Sequence, residues 1–204
     1  MKTNHFESEQ NFYKTLFNGN GKYGINPWSE EPSESMIALL QKHGLIDGHG
    51  KRALDVGCGK GRHIAFLKQC GYEVVAVDFS QTALDICKQQ FKNDAKVSFK
   101  RIDLTTPNCF VGLGQFDLVL QWSVLNHLRA KYVKTYLSNI FCVVKGFLII
   151  SEFAQMMGKF KNKPYKVENG HYSRCYESKE LMSVFDPLKK VDLIENTDEV
   201  KVWN

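Results

Sequence analysis

The chain has 204 residues, enough for one full hydrophobic core and too few for a second complete domain, so it reads as one domain over 1–204. Its 43% hydrophobic and 24% charged residues exclude default disorder, the net charge of +5 is too modest to demand an acidic partner, and no apolar run reaches the roughly 18 residues of a membrane span. The opening MKTNHFESEQNFYK is too polar for a secretory signal, and six cysteines (58, 70, 87, 109, 142 and 175) lack any C-x-x-C pair, which fits reduced thiols in the cytoplasm and gives no metal-ligand set.

In chain order, residues 1–31 scatter Phe6, Phe12, Tyr13, Phe17, Tyr23 and Trp28 among Asn, Gly and Ser, an irregular arm around a short helix that must bury itself on something. A helix follows from Pro32 to His43, with a stripe of Met36, Ile37, Leu39 and Leu40 and a stop at Gly44. From residue 52, short apolar runs alternate with helical patterns, the signature of β-α-β units and a mainly parallel sheet. The predicted strands are 53–56, 73–77, 97–102, 116–121 and 147–151. Ser80 reads as the N-cap of a helix carrying Ala83, Leu84, Ile86 and Phe91. Another helix spans Arg129 to Val144, where Tyr132, Val133, Tyr136, Leu137, Ile140, Phe141 and Val144 recur at helical spacing. Beyond Ser151 come a long polar loop to about Ser178, a helix from Lys179 to Phe185, and segments 191–194 and 199–203 around Asn196-Thr197-Asp198. That spacing predicts a hairpin whose final strand runs antiparallel to the sheet. The organisation is thus an arm and helix (1–45), a core (52–151) and a loop, helix and hairpin (152–204).

The most informative residues are Leu54-Asp55-Val56-Gly57-Cys58-Gly59-Lys60-Gly61-Arg62-His63, where the first strand turns into a helix. Glycines there admit a ligand close to the backbone, and the helix start offers N–H groups to an anionic moiety. A plain tight turn needs one or two glycines; here three alternate. The G-x-G-x-x-G dinucleotide pattern is not met, because counting from Gly57 the third glycine arrives one residue early, with Arg62 in its place. Asp55 sits inside the strand, able to bond the loop amides or an ammonium group. Asp78 ends the second strand, 17 residues after Gly61, suited to a ribose diol. Asp103-Leu104 ends the third, suited to an exocyclic amine, with Phe79 and Trp122 as apolar walls for a base. Each aspartate alone also reads as a strand cap. Three carboxylates at successive strand ends are costly without a ligand.

DVGCGKGRH, then GYEVVAVDFS, RIDL and FDLVLQWSVLNHL resemble the motif series of class I S-adenosylmethionine-dependent methyltransferases, over about residues 52–151. Within that superfamily LDVGCGKGRHIAFLKQCGYEVVAVD is similar to small single-domain enzymes of the tellurite-resistance and thiopurine type, whose N-terminal arm Trp28 and its prolines resemble, which implies that Trp28 contacts the cofactor. The resemblance implies a Rossmann-like α/β fold with a seven-stranded, mostly parallel sheet, helices on both faces and an antiparallel last strand. It implies S-adenosylmethionine as cofactor, leaving as S-adenosylhomocysteine. Gly57, Cys58, Gly59 and Gly61 would lie under the methionine part, Asp55 and Arg62 near its amino and carboxylate ends, Asp78 on the ribose, and Asp103 with Leu104 on the adenine. Gln121 and Trp122 would line the cofactor after the fourth strand, where QWSV replaces the N-P-P-Y motif of amino-group methylases.

A sulfonium is already an activated methyl donor, so a base is needed only for an acceptor that must lose a proton. The candidates are His127 and His171, each also readable as a structural residue. Tyr23 on the arm, with Tyr172 and Arg174 beside His171, would face the acceptor. The reading is methyl transfer to a small-molecule acceptor by a protein of open oligomeric state. The alternatives are a protein or RNA methyltransferase using Lys159, Lys161, Lys163 and Lys166 around Phe160 and Tyr165, and a binding protein without turnover; a solvated lysine-rich loop is the simpler account of that patch.

Overall fold

The computed structural model describes residues 5–17, 31–153, 165–168, 171–186, 188, 190–194 and 198–203. Strands β1 (Arg52–Val56), β2 (Glu73–Asp78), β3 (Val97–Arg101), β4 (Phe116–Trp122) and β5 (Val144–Phe153) pair in parallel in the order β3-β2-β1-β4-β5. The terminal hairpin adds β9 (Asp198–Trp203) antiparallel to β5 and β8 (Lys190–Ile194) antiparallel to β9. The last strand is therefore the reversed one, as its turn residues predict. The result is a Rossmann-like α/β fold with a mostly parallel sheet.

Parallel strands need crossover segments, and these supply the covering layers. Alternation along β1 sends Ala53 to one face and Leu54 and Val56 to the other. On the first face Ala53, Val74, Ala76, Leu118, Leu120 and Ile149 meet α2 (Glu34–Lys42), α3 (Ile64–Gln69) and α4 (Gln81–Gln90). On the second, Leu54, Val56, Val75, Val77, Val119 and Ile150 meet α5 (Ala130–Val143) and α6 (Ser178–Val184). The stripe Tyr136, Ile140 and Val143 explains why α5 lies flat on the sheet. Ser80 caps α4 as its sequence predicts, its hydroxyl accepting from the Ala83 N–H at 3.3 Å.

One segment departs from the sequence reading. Part of the predicted loop 152–178 is a hairpin, β6 (Tyr165–Glu168) paired antiparallel with β7 (His171–Arg174). The arm contains the expected helix, α1 (His5–Phe17), 13 residues long, which packs against α4 and β7. Tyr23, Trp28, Lys159, Phe160, Lys161 and Lys163 lie outside the described residues. Among the described residues no helix is long and apolar enough to cross a membrane.

Candidate functional site

The loop between β1 and α3 is pinned from beneath. The Gly57 and Cys58 N–H groups both donate to the Val77 carbonyl of β2, at 2.8 and 3.1 Å. Gly57 has φ +68°, and a Cβ there would stand 2.5 Å from Val124 Cγ2, so no side chain fits. Gly59, at φ +54°, donates its N–H to Asp78 Oδ2 at 2.9 Å, and a Cβ on it would meet nothing within 4 Å. The open side of the loop is thus at Gly59, whereas Gly61 is packed against Cys87, Ile64 and Phe91. The Cys58 thiol is buried, close to the Gly59 carbonyl and to Cys87, which itself donates to that carbonyl at 3.2 Å. The Cys58 side chain is thus turned into the packing beneath the loop.

Strand alternation and parallel register bring the carboxylates to one edge. Asp55 is 1% exposed, and its Oδ2 has no hydrogen-bond partner. Burial pushes its carboxyl up to about 7, against the lowering effect of the Arg62 guanidinium. Asp78 is buried too; it accepts the Ser80 N–H at 2.8 Å through Oδ1 and the Gly59 N–H through Oδ2, and burial raises its carboxyl despite these bonds. Asp103 closes a turn instead, its Oδ1 accepting from the Thr105 N–H and hydroxyl at 2.9 and 2.7 Å, while Leu104 packs on the core. Trp122 lies 5.3 Å from the His63 ring with Arg62 above it at 6.0 Å. His63 is a residue that sequence reasoning passed over although it ends the glycine motif. It is 3% exposed, its Nε2 is unpartnered, and burial lowers it to about 3, so it stays a neutral imidazole beside the loop.

Helix α1 closes over this edge. Tyr13 presents its ring edge to Phe79 at 5.4 Å, to His171 at 5.5 Å and to His127 at 6.0 Å. Its hydroxyl is pushed well above the usual tyrosine range by burial and by the Glu9 and Asp78 carboxylates. Phe12 stacks on His171 at 4.1 Å, and the His171 and His127 rings are 4.6 Å apart. Glu9, absent from the sequence reading, accepts from His171 Nδ1 and from the Tyr172 N–H, both at 2.7 Å. His127 Nδ1 faces the Tyr172 carbonyl at 3.3 Å; burial and the neighbouring His171 pull His127 down to about 3.

Three expected site residues point elsewhere. Gln121 is on the second face of the sheet, bonded to Glu152 and to the Tyr136 hydroxyl. It therefore lines no part of the glycine-loop edge. Alternation along β7 likewise places Tyr172 and Arg174 on the face opposite His171. There Tyr172 stacks on Tyr165 at 5.8 Å, and Arg174 pairs with Glu180 and covers the Tyr176 ring at 4.6 Å. The polar residue missed on the Gln121 face is Glu152, 1% exposed, which accepts from the Leu125 and Asn126 N–H groups at 2.8 and 2.9 Å.

Residues 53–146 match the family model described as a methyltransferase domain. The magnesium-protoporphyrin O-methyltransferase of Rhodobacter capsulatus is 34% identical over 112 residues, 54% of this chain and 48% of that protein. Among solved structures, a SAM-dependent methyltransferase of Anabaena variabilis superposes with a TM-score of 0.74 at 16% identity, covering 99% of this chain and 94% of the other. Residues 53–146 are thus similar to methyltransferase domains, and the whole chain has the fold of solved SAM-dependent methyltransferase structures. The 1,6-didemethyltoxoflavin-N1-methyltransferase of Burkholderia thailandensis, with bound 1,6-didemethyltoxoflavin and S-adenosylhomocysteine, shares this methyltransferase fold at a TM-score of 0.70, 19% identity and coverage of 100% and 90%. The chain spans about half the length of the curated relatives it matches.

The residues present fit S-adenosylmethionine. Asp55 has a buried oxygen with no partner, as a site for an ammonium group requires, and the open side of Gly59 leaves room for a ligand along the backbone. Asp78 accepts only from backbone N–H groups and keeps lone pairs for a diol. Phe79 and Trp122 flank these groups with apolar surface.

Proposed function

We propose that this methyltransferase transfers a methyl group from S-adenosylmethionine to a small-molecule acceptor held between the glycine-loop edge, helix α1 and strand β7. The observation that carries this reading is the pair of buried carboxylates at neighbouring strand ends, Asp55 with an unpartnered oxygen and Asp78 bonded to the Gly59 N–H. Two buried acids side by side are costly unless a cationic, hydroxyl-rich ligand offsets them. When bound, the cofactor supplies an electrophilic methyl group on sulfur.

The chain's own residues do the rest. Asp55 would pair with the ammonium, the loop amides would follow the methionine backbone, and Asp78 would accept from the ribose hydroxyls. Phe79, Trp122 and Leu104 would hold the adenine, with Asp103 at its amine. Phe12 and Tyr13 exclude water from the space next to His171. His171, not His127, is the base, because His127 is a neutral imidazole of low basicity across the working pH range. A cytoplasmic location fits six free thiols.

Calorimetry with S-adenosylmethionine and S-adenosylhomocysteine tests the reading. Saturable binding that Asp78→Ala weakens at least tenfold is expected. No binding at millimolar ligand by a folded chain overturns it.

A further inference from the structure

We infer that Glu9 fixes His171 in the tautomer that makes its Nε2 a proton acceptor, and that the acceptor substrate is a planar hydroxyl compound such as a phenol or enol. The inference rests on the methyl-transfer reading for its chemistry and on Glu9 and the rings around His171 for its geometry. Glu9 is 5% exposed and bonds two groups of β7 at once. Its Oε1 accepts the Tyr172 N–H, a group that can only donate. Its Oε2 stands 2.7 Å from His171 Nδ1, and because a carboxylate only accepts, Nδ1 must carry the ring proton. Nε2 is then the basic nitrogen.

A second contact works the same way on the neighbouring ring. The Tyr172 carbonyl faces His127 Nδ1 at 3.3 Å and can only accept, so His127 is also the Nδ1–H tautomer. The two imidazoles differ in what stands behind them. His127 leans on a neutral carbonyl; His171 leans on a carboxylate, which stabilises the imidazolium formed when Nε2 takes a proton. Only His171 is therefore built to hold a proton taken from a substrate. A soft thiolate acceptor would need no such arrangement.

In the step this implies, the acceptor O–H proton moves to His171 Nε2 as an oxygen lone pair forms the new O–CH3 bond. The methyl–sulfur bond breaks, its electron pair stays on sulfur, and neutral S-adenosylhomocysteine leaves; His171 then returns the proton to water. Phe12, Tyr13 and His127 surround His171 with aromatic walls, a lining that suits a flat acceptor better than a sugar-like polyol. Glu9 is a positioning residue, since it touches His171 and not the reacting atoms.

The substitution Glu9→Gln separates this from a merely structural contact. A glutamine must place its oxygen on the Tyr172 N–H, which turns its NH2 toward His171 Nδ1 and forces that nitrogen to accept. Nε2 would then carry the proton. Ring 15N shifts of the free chain, recorded on the alkaline side of the imidazole range, report the tautomer without cofactor or turnover. The expected result is Nδ1–H for His171 in wild type and in Glu9→Asp, and Nε2–H in Glu9→Gln. Nε2–H in the wild type, or a Glu9→Gln chain that keeps the wild-type tautomer, overturns the assignment. With S-adenosylmethionine and a panel of catechol, 4-nitrophenol and thiophenol, a phenol should be methylated by the wild type. Glu9→Gln should lower that rate by about 100-fold or more, with affinity for S-adenosylhomocysteine within twofold. Methylation of thiophenol alone, or phenol turnover undiminished in Glu9→Gln, overturns the hydroxyl class. A chain with the expected tautomer that binds no S-adenosylhomocysteine instead overturns the methyl-transfer reading.

Discussion

Glu152→Gln at the end of β5 offers a test in which the sign of the effect, and not only its size, is at stake. Burial pushes the Glu152 carboxyl up to about 8, opposed by the N–H groups of Val124, Leu125 and Asn126 and the amide of Gln121. Asn126, with its amide oriented to donate to Glu152 and to the Ser123 carbonyl, adds another donor at 2.9 Å. A carboxyl raised from an ordinary value of 4.5 holds its proton more tightly in the folded chain than in the unfolded one. Its favourable contribution is then complete below about 4.5 and is lost as pH climbs through about 8, roughly 5 kcal/mol at about 1.4 kcal/mol per pH unit. Glutamine does not titrate. It sets an NH2 against the Asn126 N–H, a conflict costing about 1–3 kcal/mol at all pH values. At about 2–4 °C per kcal/mol for a chain of this size, wild type should melt roughly 2–12 °C above Glu152→Gln at pH 5. That margin should shrink and reverse by pH 8.5 in thermal unfolding followed by circular dichroism. A margin that widens with pH would mean that the donors outweigh desolvation and that Glu152 is ionised; a flat margin would mean that it does not titrate in the folded chain at all.

Other expectations follow from single contacts. Asp55 titrates near 7 in the free chain and must be ionised to pair with an ammonium group, so affinity for S-adenosylhomocysteine should rise up to about tenfold per unit between pH 5.5 and 7, levelling above. Calorimetry on Asp55→Asn should show weaker binding with that slope gone, and a persisting slope would assign it to another group. Gly57→Ala adds a left-handed backbone cost of about 1–2 kcal/mol to a Cβ 2.5 Å from Val124, and should lower the melting temperature by several degrees. Gly59→Ala meets nothing within 4 Å and carries only the left-handed backbone cost of about 1–2 kcal/mol, so it should melt roughly 2–8 °C below wild type yet bind S-adenosylhomocysteine at least tenfold more weakly; undiminished binding in calorimetry would place the ligand elsewhere.

The sheet was legible because β1, β2, β4 and β5 each contain an apolar run bounded by polar or turn residues, and the glycine loop follows the first of them. Boundaries moved by one to three residues. The β6–β7 hairpin was missed because YKVE and HYSR are polar and short, although Asn169-Gly170 between them is the two-residue hairpin signal. Tyr172 and Arg174 were grouped with His171 by sequence proximity, which strand alternation forbids. Glu9 had no local signal. One carboxylate in HFESEQNFYKTLF looks like any solvent-facing helix residue, and its meaning comes from β7, 162 positions away from it in sequence.

The same alternation explains how one strand end serves two tasks. At the tip of β4, Trp122 turns to the face of α2, α3 and α4, beside His63 and the glycine loop. Gln121 turns to the opposite face and is fixed by Tyr136 and Glu152. Glu152 in turn holds the N–H groups of Leu125 and Asn126, the residues immediately before His127. The Tyr176 hydroxyl donates to the Leu125 carbonyl at 3.3 Å, tying the same turn to the segment after β7. The buried network is therefore the foundation of the acceptor side, and it borders the glycine loop through Val124, whose side chain lies against Gly57. Weakening it should displace His127 and β7 together while leaving Asp55, Asp78 and Gly59 in place. A variant such as Glu152→Gln should accordingly keep its affinity for S-adenosylhomocysteine where the chain is folded, and lose its defect in acceptor methylation only when the turn at Leu125 and Asn126 is restored.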